Sequence, residues 1–325
     1  MGRRGLVVAA ATLAALVGSA LAPAGATSPP VARVAPYEYL GWGDPPAPVG
    51  VMAATGVHAL TLAFVLSHGR CNPQWDGKRP LLGGTDAAAV DAIRAAGGDV
   101  DVSFGGWSGS KLGNSCKNAT ALAAAYQKVI DAYALKAIDI DIEHTEYTNR
   151  KVRAKVMQAL AIVQDANPSL EISVTFGTTP SGPDASGRSL INTAAALGFL
   201  PAAWTIMPFD FGSPIADMGA ASVSAGDGLA QAVAASYGIP IAEAYQHIGI
   251  SSMNGLTDTK GETVTLADVQ TILEFAQSHH IARLTFWSVN RDRACATAAT
   301  KAADNCSGIA QTPYQFTELV AGYAG

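Results

Sequence analysis

Leu135-Lys136-Ala137-Ile138-Asp139-Ile140-Asp141-Ile142-Glu143-His144 is the stretch whose reading decides the fold. Apolar and acidic residues alternate in it with period two, so an extended chain puts the isoleucines on one face and Asp139, Asp141 and Glu143 on the other. Isoleucine at every alternate position suits a buried strand better than a half-exposed edge with a solvated acidic face. In a barrel strand the isoleucines would pack against an outer layer of helices, and the three carboxylates would point into the barrel and its mouth.

The surroundings of this strand agree. Runs rich in Val, Ile, Thr and Phe recur along the chain, each followed by an Ala-rich stretch with helical spacing, the pattern of βα units and a parallel sheet. Strands are expected at Tyr37–Gly41, Ala59–Leu66, Asp99–Phe104, Ala137–Glu143, Leu170–Phe176, Ala203–Phe209, His247–Ser251 and Arg283–Ser288. Helices are expected at Thr85–Ala96, Ala119–Ala134, Asn149–Ala166, Ser189–Ala196, Asp227–Tyr237 and Leu266–His279. Eight strands alternating with helices point to a single-domain α/β fold, a (β/α)8 TIM barrel. An open doubly wound sheet would carry fewer strands or a phosphate loop, and no G-x-G-x-x-G follows the first strand. Chemistry in such barrels sits at the C-terminal ends of the strands, where the acidic stretch terminates.

Three inward carboxylates spaced roughly 6–7 Å apart along a strand cannot all ionise comfortably in a partly desolvated site. At least one is expected to hold a proton near neutral pH. Glu143, at the outer end, is the natural acid, while the deeper Asp139 and Asp141 can share a proton behind it.

The ends and the composition bound the class. Arg3 and Arg4 precede an apolar run from Leu6 to Ala22, followed by Pro23 and Ala24-Gly25-Ala26. This reads as a signal peptide, residues 1–26, rather than a membrane anchor, and leaves residues 27–325 as the working domain of a secreted, extracellular protein. Cleavage there removes two arginines and no acid, taking the formal charge from −5 to −7. Nothing is basic enough to suggest nucleic acid or an anionic membrane as partner. Cys71, Cys116, Cys295 and Cys306 are an even set in an exported chain, and disulfides are the default reading. Three pairings are open; shared rim position and closeness in sequence favour Cys71–Cys116 and Cys295–Cys306. Without C-x-x-C or H-E-x-x-H spacing, no metal or other cofactor is expected. The sequon at Asn118 reads as chance, and a monomer is the default.

Four elements, in order along the chain, now carry a resemblance. The D-x-D-x-E strand ending at Glu143 is similar to the signature of the family 18 glycoside hydrolases. Ser103-Phe104-Gly105-Gly106 looks like that family's S-x-G-G element, Met207-Pro208-Phe209-Asp210 falls where it has M-x-Y-D, and Phe286-Trp287-Ser288 resembles the strand bearing its barrel-floor tryptophan. Thr178–Gly182 and Trp287–Asp292 look like the bacterial and archaeal chitinase branch.

The resemblance implies a chitinase acting on chitin or chito-oligosaccharides by substrate-assisted retention, an exception to the scheme of two enzyme carboxylates. Glu143 would protonate the leaving oxygen while the substrate's acetamide carbonyl attacks the anomeric carbon. Asp141 would orient the acetamide N–H, and Asp139 would balance the protons behind it. Trp287 would stack beneath the sugar, with Asp210 and Met207 beside it. Among further aromatics near strand ends (Tyr39, Trp42, Phe64, Trp75 and Trp107), Tyr39 and Trp107 are the first choices for a groove.

The match departs at Lys136 and Ala137, where relatives often carry an Asp and a Gly. It departs more seriously at Phe209, where many relatives place a tyrosine hydroxyl on the acetamide. Two rivals share the barrel: an endo-β-N-acetylglucosaminidase acting on glycoprotein glycans, and a non-catalytic chitin-binding lectin, which normally lacks the acid that Glu143 supplies. No G-x-S-x-G elbow suggests a serine hydrolase.

Overall fold

The computed structural model describes residues 1–2 and 34–323. The expected signal peptide therefore lies, but for its first two residues, outside the described residues. Eight strands form the barrel: β1 (Tyr37–Tyr39), β2 (Ala59–His68), β3 (Asp99–Gly105), β4 (Ala137–Ile142), β5 (Glu171–Gly177), β6 (Ala203–Met207), β7 (Ile248–Met253) and β8 (Arg283–Trp287). Each pairs in parallel with the next, and β8 returns to β1 through Tyr37 opposite Trp287, so the sheet closes. A helix follows every strand: α1 (Pro48–Thr55), α2 (Thr85–Ala95), α3 (Ala119–Tyr133), α4 (Arg150–Ala166), α5 (Ala185–Ala196), α6 (Met218–Tyr237), α7 (Leu266–His279) and α8 (Gln315–Ala321). This is the expected (β/α)8 barrel.

Alternation along the strands divides the core in two. The outward positions, among them Leu60, Leu62, Val102, Phe104, Ile138, Ile140, Ile142, Val174, Trp204, Ile250 and Phe286, are at most 2% exposed. Each such side chain contributes about 1.5–3 kcal/mol by leaving water. The inward positions are small or polar instead: Thr61, Asp101, Ser103, Asp139, Thr175, Thr205, Ser251, Arg283 and Thr285, all buried. Gly249, opposite Arg283, is part of this design. A Cβ there would fall 2.7 Å from Thr205 Oγ1 and 3.0 Å from the Arg283 Cβ, so its absence makes room in the polar interior.

The structure extends the sequence reading in several places. Asn72–Trp75 is an antiparallel strand folded back on β2, and Gly255–Leu256 pairs with Thr263–Val264. Helix α5 begins four residues earlier than expected, at Ala185, because Asp184 caps it by accepting the N–H groups of Ser186 and Gly187. Helix α6 begins at Met218 rather than Asp227, capped by Asp217, which accepts the Ala220 N–H. Strand β4 stops at Ile142, one residue short of Glu143.

Candidate active site

The acidic face of β4 enters the barrel beside β3 and β5, with Asp139 opposite Ser103 and Ser173, and Asp141 opposite Gly105 and Thr175. Asp139 is fully buried. Its Oδ2 accepts from Tyr37 at 2.7 Å and Ser103 at 2.6 Å. Its Oδ1 accepts from Thr175 Oγ1 and Arg283 Nη1, each at 2.6 Å.

One turn of the pleat further out, Asp141 meets different surroundings. Its Oδ1 is buried with no hydrogen-bond partner. Burial first, then the charges of Glu143 and Asp139, push its carboxyl well above the usual range.

Glu143 follows the strand in extended backbone and begins the short helix His144–Thr148. It is only partly exposed at the mouth. Burial raises its acid from the ordinary 4.5 to about 7; Lys111 pulls the value down and Asp210 adds to it. A carboxyl poised near 7 serves as a proton donor and then as a base. Lys111 is itself buried, donating to the Ser108 carbonyl. Glu146 is buried beside the same loop, accepts the Gly113 N–H at 2.7 Å, and is raised by burial to about 7. Neither Lys111 nor Glu146 was signalled by the sequence: they lie on a loop and on a turn that only the fold brings beside Glu143.

Trp287 ends β8, opposite Tyr37 of β1 where the barrel closes. Its ring stacks on Phe64, with centroids 5.6 Å apart and planes 16° apart, and Tyr37 and Tyr39 lie 6.0 and 6.4 Å away. Tyr39 is buried in this cluster, between Trp42 at 4.4 Å and the Arg79 guanidinium at 5.9 Å. Trp107 is 68% exposed, and its ring meets His144 edge-on at 5.3 Å. Met207 ends β6 facing Gly177. Asp210 is exposed on β6's following loop, with φ +53°; its Oδ1 accepts the Thr259 N–H, and its own N–H donates to Glu262. Phe209 packs partly against the core. Trp75, a weaker groove candidate, is completely buried and donates its indole N–H to Tyr133, so it belongs to the core.

The disulfides are Cys71–Cys116 and Cys295–Cys306, the favoured pairing of the three. The first bridges the β2 hairpin to the loop that carries Lys111.

A closed parallel barrel with a polar interior, an acidic strand ending in a carboxyl raised to about 7, and a cluster of aromatic rings make an arrangement suited to glycoside hydrolysis. The catalytic domain of a hyperthermophilic chitinase from Pyrococcus furiosus superposes with a TM-score of 0.81 at 27% identity, covering 90% of this chain and 96% of that one. A probable bifunctional chitinase/lysozyme of Escherichia coli is 28% identical over 283 residues, 82% of this chain but 32% of its own length. Endochitinase 11 of Metarhizium anisopliae is 28% identical over 250 residues, 73% of this chain and 48% of its own. The chain thus spans less than half the length of the curated relatives it matches. No protein-family model matches the chain. In fold, site and these relatives, the chain is similar to the family 18 glycoside hydrolases, the resemblance its sequence motifs carry.

Proposed function

We propose that the protein is a secreted chitinase that hydrolyses β-1,4-linked N-acetylglucosamine chains with retention, using the substrate's acetamide as nucleophile. Glu143 donates its proton to the glycosidic oxygen and then removes one from the water that opens the oxazolinium intermediate. Asp141 turns its carboxyl to the acetamide N–H and stabilises the charge that develops there. Asp139 remains behind it, held by Tyr37, Ser103, Thr175 and Arg283, and balances the protons of the strand. Trp287 offers its ring to the apolar face of the sugar being cleaved. Asp210 and Met207 border that sugar, Tyr39 supports the tryptophan from below, and exposed Trp107 extends the groove.

The observation that carries this reading is the contrast along one strand: Glu143 partly exposed and raised to about 7, next to Asp141 with a buried oxygen that no protein group satisfies. An acetamide N–H is a donor of the right kind for that oxygen. Residues 27–325 act as the catalytic unit after removal of residues 1–26. The protein works as a monomer, with neither nucleic acid nor a membrane as partner. Among the described residues no helix is long and apolar enough to cross a membrane.

Mass spectrometry of products tests the proposal, with N-acetylglucosamine hexamer and a high-mannose glycopeptide as parallel substrates. Dimers to tetramers from the hexamer alone are expected. Cleavage of the glycopeptide alone would reassign the protein to glycan processing, and two intact substrates with measurable binding would make it a lectin.

A further inference from the structure

Arg283 is a charged side chain buried at the bottom of the barrel interior, and the chemistry described so far does not use it. It lies on β8, 144 residues from its nearest acid, with its Nη1 2.6 Å from Asp139 Oδ1. Its Nη2 donates to Thr61 Oγ1 at 2.9 Å and stands 3.9 Å from Asp101. Both members of the Arg283–Asp139 pair are nearly or wholly shut off from water. Breaking such a pair costs far more than breaking one at the surface.

The donor count around Asp139 restricts its chemistry. Tyr37, Ser103, Thr175 and Arg283 occupy its acceptor positions, and a guanidinium can only donate. A proton on Oδ1 would point at two donors. Asp101, the other acid in reach, stands 3.9 Å from the guanidinium against 2.6 Å for Asp139, so Asp139 is the arginine's close partner. Asp141 has the opposite environment, an unpartnered buried oxygen.

We propose that Arg283 is a positioning residue for the catalytic strand: it holds Asp139 as a fixed carboxylate and leaves Asp141 as the one member of the aspartate pair that carries a mobile proton. This rests on the roles given to Asp141 and Glu143 above, and it replaces a shared Asp139–Asp141 proton with an unshared one. The proton stays with the Asp141 carboxyl as it turns from Asp139 toward Glu143, so no further acceptor is required.

Difference infrared spectroscopy at neutral pH reads the protonation states directly. Asp141→Asn should remove a neutral-carboxyl band, whereas Asp139→Asn should remove only carboxylate absorption. Arg283→Met should add a neutral-carboxyl band that disappears again in the Asp139→Asn/Arg283→Met double variant. Its kcat on chito-oligosaccharides should fall about 10–100-fold with KM little changed, and Arg283→Lys should recover part of the loss. Loss of the neutral band in Asp139→Asn rather than Asp141→Asn would overturn the proposal. So would an Arg283→Met variant with unchanged bands and unchanged kcat. If Arg283→Met does not fold, Arg283→Gln, which keeps a donor without the charge, is read in its place against the same bands and the same kcat. A protein that cleaves neither substrate yet gains the band in Arg283→Met would refute the chitinase reading and leave the Arg283 assignment standing.

Discussion

Gly105 faces Asp141 across the β3–β4 seam so closely that a Cβ on the glycine would fall 2.1 Å from the Asp141 carbonyl oxygen. The glycine backbone has φ +108°, a conformation side chains rarely allow, and the next N–H, that of Gly106, donates to the same carbonyl at 3.0 Å. The paired glycines of the Ser103–Gly106 element thus set the main chain from which Asp141 projects. Gly105→Ala should cost on the order of 3 kcal/mol of stability and at least 100-fold in kcat/KM. Thermal melting and steady-state kinetics on chito-oligosaccharides check both, and near-normal values would show that the Asp141 backbone is not held this way.

Glu143→Gln removes the carboxylic proton donor at the outer end of the strand while keeping its shape. Turnover should fall by several orders of magnitude, with oligosaccharide affinity retained. Calorimetric titration beside a product assay separates the two, and equal activity in the variant and the parent would exclude Glu143 as the acid.

Lys111 sets the pH range of that acid. Glu143 works protonated, so kcat/KM falls as pH rises past about 7, and the nearby ammonium pulls that value down. Lys111→Met should move the alkaline limb to higher pH, and Lys111→Arg should leave it in place. A pH–rate profile of both variants is the check; an unmoved limb in Lys111→Met would mean that Lys111 does not act on Glu143.

Glu38 is a stability liability. It lies on β1 between inward Tyr37 and Tyr39, fully buried, with both carboxyl oxygens unpartnered. Burial raises it from 4.5 to about 8. The unfolded chain ionises it from about pH 4.5 while the folded chain keeps it neutral, so stability is lost as pH rises between those values. Glu38→Met should therefore stabilise by on the order of 5 kcal/mol more above pH 8 than below pH 4.5. Denaturant melts across that range test it.

The barrel strands were legible because their two faces differ so sharply: polar side chains line the interior, and branched apolar ones face the helices. Period two therefore marks nearly every strand, and the catalytic strand most clearly. The elements that escaped have no such contrast. Asn72–Trp75 pairs with only one neighbour and contains a proline. Met218–Gly226, the first half of α6, is built of Gly, Ala and Ser, which the sequence signals as loop although the packed residue Met218 and the Asp217 cap make it helix. At the site, the three acids share one strand and are visible as a spacing. Arg283, Tyr37 and Lys111 reach them from other strands and loops, and only barrel closure brings those partners together.

Closure depends on the shortest strand. The Ala35 carbonyl just ahead of β1 accepts from Thr61, 26 residues on, and from Thr285, 250 residues on. A ribosome adding roughly 5–20 residues per second needs tens of seconds between the first strand and its last partner. Throughout that interval the growing sheet has two bare edges, and the acids halfway along it lack Arg283 and Trp287. A chain stopped before residue 283 is thus not a smaller barrel but an open sheet with an unbalanced charge at its centre, and the quality of the finished site is decided by the final strand to be made.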